Sequence, residues 1–276
     1  MCQNISLRKT MLTTAVCLMS IAVCSQNPYR LSAGARQVGL AYATVATDGF
    51  WASFHNQASL ASVKSWSAGI NQDNRFGLSE LSNKTFAMII PAHKRGAMGM
   101  VYSYYGYTEY NRHTIGLAYG MKLGNKIRAG VQTDFYSTRI AGDYRNRNDL
   151  SFEGGIQYIP VNDLVLGIHL YNPIPETLHD SDIPLVMRLG ASYKFASTFL
   201  VIAEMETTNQ ANTNARVAFE YEFPANLYLR GGFMSNPLGY AFGGGYSGRI
   251  FQANLGFITH ENLGLTPSLS LVIFIL

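Results

Sequence analysis

Residues 127–138 read IRAGVQTDFYST, and their alternation decides the fold. Ile127, Ala129, Val131, Thr133 and Phe135 share one parity. Arg128, Gly130, Gln132, Asp134 and Tyr136 share the other. Successive side chains of a strand point to opposite faces, so a period of two predicts a β-strand with one apolar and one polar face. Similar segments recur to Leu276. A soluble sandwich would bury its apolar faces in a shared core. A membrane barrel turns them to lipid and keeps the polar faces for a lumen.

The N-terminus separates these alternatives. Arg8 and Lys9 precede an apolar run at 11–23, and small residues follow at Cys24 and Ser25. This order predicts a secretory signal peptide over 1–25, cleaved near Ser25, because the run is shorter than the roughly 20 residues of a spanning helix. Cys2, Cys17 and Cys24 all lie within it. A mature chain without cysteine has no disulfide framework and no thiolate ligand or nucleophile. Only 14% of the chain is charged, against roughly 25% in soluble domains, which again favours a membrane barrel. No basic run suggests nucleic acid.

Alternation then predicts about fourteen strands, at 66–72, 81–90, 97–107, 110–123, 127–138, 150–159, 164–172, 185–195, 199–206, 215–223, 227–235, 240–247, 251–260 and 268–276. Each is of the order of the 9–11 residues that cross a tilted bilayer. Connections after even-numbered strands are short: 92–96, 124–126, 160–163, 196–198, 224–226 and near 247–249. Those after odd-numbered strands are mostly longer: 73–80, 141–149, 173–184 and 207–214. Outer-membrane barrels have short periplasmic turns and longer external loops, so this sorting predicts both termini in the periplasm. Parity places Ile115, Leu117, Tyr119 and Met121 outside, with Leu185, Met187, Leu189, Val217, Phe219 and Tyr221. It also places Leu269, Leu271 and Ile273 where the last strand closes on the first.

Residues 32–61, SAGARQVGLAYATVATDGFWASFHNQASLA, do not alternate. They resemble the opening of the FadL-type outer-membrane transport superfamily, in particular its PorV/PorQ-like branch from Bacteroidetes. The matching positions are Ala35–Arg36, Gly39, Ala43, Val45–Ala46, Asp48, Trp51, Phe54, Asn56, Ala58 and Leu60, with Gln57 where the family usually has proline. LYLRGGFMSNP at 227–237, GYAFGGGYSG at 239–248 and LGLTPSLSL at 263–271 are also similar to that family. The resemblance implies a 14-stranded barrel over 64–276 and an N-terminal hatch over 26–63. It implies a non-enzymatic docking or accessory role in type IX secretion, with secretion proteins or cargo as partners beside the surrounding lipid. The alternative is passive transport of a hydrophobic or small amphipathic ligand.

Within the hatch, Asp48 and Asn56 are expected to cap short helices or satisfy turns, and Trp51 and Phe54 to pack. Lumen parity on the eighth to eleventh strands carries Arg188, Glu204, Glu206, Arg216, Glu220, Glu222 and Arg230. Adjacent charges of opposite sign there predict an ion-pair ladder that braces the lumen. Val165, Leu200, Ile202 and Met234 line a pocket or pack the hatch. The histidines after the leader are His55, His93, His113, His169, His179 and His260, with His169 luminal and His113 and His179 in loops. None stands in a motif beside a serine, and none has helical i, i+4 metal spacing, so no catalytic, metal or cofactor residue is assigned.

Overall fold

A computed structural model describes residues 33–92, 96–142, 146–173, 183–209 and 212–275. The predicted signal peptide, His93 and His179 lie outside the described residues. The strands are β1 (Trp66–Asn74), β2 (Ser82–Ala92), β3 (Gly96–Gly106), β4 (Tyr110–Lys122), β5 (Ile127–Ile140), β6 (Arg147–Val161) and β7 (Leu164–Tyr171). They continue as β8 (Val186–Phe195), β9 (Phe199–Thr208), β10 (Asn214–Phe223), β11 (Leu227–Ser235), β12 (Leu238–Ser247), β13 (Phe251–His260) and β14 (Gly264–Ile275). Each pairs antiparallel with its sequence neighbours. β14 pairs with β1, placing Leu271 opposite Ile70, and closes the barrel.

Closure removes every open sheet edge, the condition for strands to stand in hydrocarbon. The outer face is apolar: Leu117, Val131, Phe152 and Ile273 are each half exposed or more, or close to it. Outward charges such as Lys84 and Arg139 stand near the loop ends of β2 and β5. A charge at mid-height would cost roughly 2–4 kcal/mol in lipid. At the end of the barrel that carries Trp66, aromatic pairs form a belt. Tyr193–Phe195, Tyr221–Phe223 and Tyr246–Phe251 have centroid separations of 4.5, 4.6 and 5.3 Å. Such rings suit a lipid–water boundary. No helix among the described residues is long and apolar enough to cross a membrane.

The connections sort less cleanly than expected. Those at 75–81, 141–146, 172–185 and 209–213 are the longer ones. Those at 107–109, 236–237 and 261–263 are as tight as the turns at the opposite end. In these three places the strands pair almost to their tips, for example His260 with Gly264, which leaves only a hairpin to make. His113, expected in a loop, lies within β4, where its Nδ1 meets the Tyr102 hydroxyl at 2.8 Å.

Candidate functional site in the barrel lumen

Residues 33–65 do not join the sheet. Nearly every side chain between 33 and 61 is buried, and its partners are lumen-facing residues of the strands. The segment therefore lies inside the barrel. It comprises a short helix α1 (Ala35–Gly39), a turn at 40–48, and two 3-10 turns, Trp51–Phe54 and Gln57–Ser62. Asn56 caps the second turn, accepting from the Ala58 N–H at 3.1 Å, as expected of an asparagine before a helical turn.

Three apolar clusters fix this segment to the wall. Phe50, Trp51, Phe54 and Leu60 pack on Ala87, Ile89, Ala97, Val101, Ala118 and Val272. Val38 and Ala41 pack on Met234, Ala241 and Ile258. Leu40 and Ala43 pack on Ile202 and Ala218. The rings of Phe50 and Trp51 meet edge to face at 4.9 Å. Close approach needs glycine in the wall. A Cβ at Gly130 would strike the Gln57 backbone, and one at Gly256 would strike the Ala35 carbonyl.

The predicted ladder is present, and it does more than join strands. Glu204 accepts from Arg188 at 2.7 Å and from Arg216 at 2.9 Å. Its other oxygen accepts from the Thr44 and Val45 backbone N–H groups at 2.7 and 2.8 Å. Arg188, fully buried, also donates to the carbonyls of Tyr42 and His55 at 2.9 and 3.0 Å. Arg216 completes the row on Glu206 at 2.8 Å. Glu204 thus neutralises two arginines while holding the turn of the inner segment.

A second group stands nearer the terminal end. Glu220 accepts from Arg36 at 2.7 Å and from Arg230 at 2.5 Å, and Arg230 reaches the Asn254 side-chain oxygen at 3.0 Å. Burial disfavours the Arg36 charge, but Glu220 outweighs that cost and holds the guanidinium above its ordinary pKa. Glu222 stands at the end of this wall, opposite Tyr228 in the register. Asp48 does not cap a helix: its carboxylate receives Arg128 at 2.8 Å, and its carbonyl accepts from Arg36 at 2.9 Å. The 3-10 turn after it begins at Trp51, with Phe50 at its N-cap and no side-chain cap. Two hollows of about 180 and 280 Å³ flank the Arg36–Glu220 pair. The larger takes in Val165 and Leu200 beside Lys194 and Glu222.

Gln57, the departure from the family pattern, donates to Glu153 at 2.7 Å, and Glu153 lies 3.1 Å from His169. Proline could not make the first contact. His55 is buried and bonds the Ala33 carbonyl at 2.8 Å, and His260 accepts from the Asn262 N–H at 3.2 Å. Arg36, Gln57 and Arg128 were not expected to act here. Arg36 carries a legible signal, being the only charged residue between 32 and 47.

No family model matches the sequence, and no curated protein matches it significantly. Solved structures do. The chain is similar to the CymD monoaromatic hydrocarbon channel, with a TM-score of 0.71 at 12% identity over 90% of this chain and 98% of that one. It is similar to a Pseudomonas aeruginosa FadL homologue, with a TM-score of 0.66 at 11% identity over 88% and 99%. It is also similar to the Ralstonia pickettii toluene transporter TbuX, with a TM-score of 0.60 at 12% identity over 86% and 96%. The likeness is one of fold, a closed β-barrel shared with these three structures.

Proposed function

We propose that this protein is a non-enzymatic outer-membrane channel for passive entry of a small molecule, with residues 33–62 as its hatch. The observation that carries this reading is the inner segment itself. It occupies the terminal part of the lumen in a barrel whose exterior suits lipid, and it is held by side chains rather than by sheet pairing. A segment held in this way can shift while the barrel stays closed. The channels and transporters that share the fold support transport. The short turns beside the termini support a periplasmic position for both ends.

The docking role in type IX secretion rests on the sequence resemblance, whose longest stretch is 35–60. Those residues have internal tasks: Arg36 on Glu220, Asn56 on its 3-10 turn, Trp51, Phe54 and Leu60 in the wall cluster. Their pattern is explained by packing and leaves nothing over for a partner. The PorV/PorQ assignment therefore adds no function that the segment's packing requires.

The test is purification of the native protein from the envelope in mild detergent, with mass spectrometry of whatever travels with it. A lone barrel, and faster solute entry into proteoliposomes that contain it, is expected. Stoichiometric co-purification of secretion components, with no gain in solute entry, would overturn the channel reading.

A further inference from the structure

Most apolar side chains of the lumen wall are used up by the inner segment. What remains toward the long loops is polar. Asn71, Asp73, Asp134, Asp149 and Ser151 all face inward there, and all are buried. Several of their atoms have no hydrogen-bond partner. These are both oxygens of Asp73, Oδ2 of Asp134, Oδ2 of Asp149, Oγ of Ser151 and Nδ2 of Asn71. The other Asp134 oxygen accepts from Gln132 at 2.7 Å, and the other Asp149 oxygen accepts from Arg147 at 2.9 Å.

Buried polar atoms are normally paired, and each exception asks for a partner. The exceptions here are mostly acceptors, and four of them are carboxylate oxygens. Hydrocarbon satisfies none of these atoms. A molecule that donates hydrogen bonds satisfies them. Beside Asp134 and Asp149 stand Tyr136 and Tyr171, whose hydroxyls meet at 2.7 Å, packed with Ile183 and Val186. The wall thus offers charged acceptors next to a small aromatic and aliphatic surface.

We infer that the loop-side half of the lumen takes a small solute rich in hydrogen-bond donors, hydroxyls or an ammonium group, with Asp134 and Asp149, two residues apart in register on β5 and β6, as its principal acceptors. This rests on the channel reading and supplies its substrate class. It sets this lumen apart from the hydrocarbon cargo named for two of the structures that share the fold.

The experiment is ligand-observed NMR on the full chain in detergent, with arabinose, propylammonium and toluene as probes. Arabinose or propylammonium should bind and toluene should not. A response from arabinose alone assigns a polyol, and one from propylammonium alone assigns an amine. Asp134→Asn and Asp149→Asn should each weaken the bound probe about tenfold, the loss of one hydrogen bond to a charged group. Asn keeps the shape of Asp, so folding is checked by the heat-induced mobility shift of the same samples. Tighter binding of toluene, unchanged affinity in both variants, or no binding of either polar probe would each overturn the inference. The last result would mean that water alone meets these atoms. Binding without entry into proteoliposomes would instead sink the channel reading and leave the site standing.

Discussion

The two halves of the lumen obey different rules. Toward the termini, the buried carboxylates of the wall are paired, and the orphan atoms are not carboxylate oxygens: Gln37 Oε1, Gln57 Oε1 and Trp51 Nε1 are examples. Apolar clusters close on Leu40, Phe54 and Leu60, and Glu204 and Glu220 each meet two arginines. Toward the long loops, Asp73, Asp134 and Asp149 keep unpaired oxygens although they are just as buried. One half has the chemistry of a protein core and the other that of an incomplete site. The difference teaches that burial alone does not define a core. Satisfaction does, because a buried polar group left unpaired is costly.

The strongest way to break this contrast is Glu204→Ala. It strands Arg188 and Arg216 without their shared counter-charge and frees the Thr44 and Val45 N–H groups. Losing one partner of a buried pair costs about 3–5 kcal/mol. The barrel's heat-induced mobility shift should occur at a lower temperature, and protease should cut within 33–62. An unchanged cleavage pattern would show that the segment is held by packing alone. Leu60→Ala probes that packing separately. Leu60 is fully buried in the largest cluster, and the substitution should cost about 3 kcal/mol, read in the same assay.

The barrel was legible in the sequence because alternation repeats. All fourteen strands, the outward residues Leu117 and Val217, and the inward ladder follow from parity. The ladder's second task was not legible. Glu204 pairing with Arg216 is a cross-strand neighbour relation, which register supplies. Glu204 bonding the Thr44 and Val45 backbone depends on the path of a segment with no period, and no local rule fixes that path. The same reason hid Arg128, whose partner Asp48 is eighty residues away. Asp48 was expected to cap a short helix or satisfy a turn, and its carboxylate takes the Arg128 guanidinium, a partner that no local rule supplies. The orphan acceptors were visible only as polar residues on the lumen parity, since sequence does not say which polar atoms remain unpaired.

Asp73→Asn should act in the opposite direction from Glu204→Ala. It removes a buried charge whose desolvation outweighs the help of Ser268, Asn71, Asn83 and Arg75 around it, and a gain of about 1 kcal/mol in barrel stability is expected. Equal destabilisation by the two variants would erase the distinction between the halves.

The smallest effect belongs to the boundary of the satisfied half. Asp48 and Arg128 form a good ion pair at 2.8 Å, but the Asp48 side chain is 44% exposed. Water and salt screen such a pair, so its coupling should be only about 0.2–1 kcal/mol. A double-mutant cycle of Asp48→Ala and Arg128→Ala, read by unfolding at low and high salt, measures it. The coupling should shrink as salt rises, whereas the Glu204 effect, shielded from solvent, should not. A coupling as large and as salt-insensitive as that of Glu204 would mean that the pair is closed off from water in the membrane, and that the satisfied half extends to the barrel's mouth.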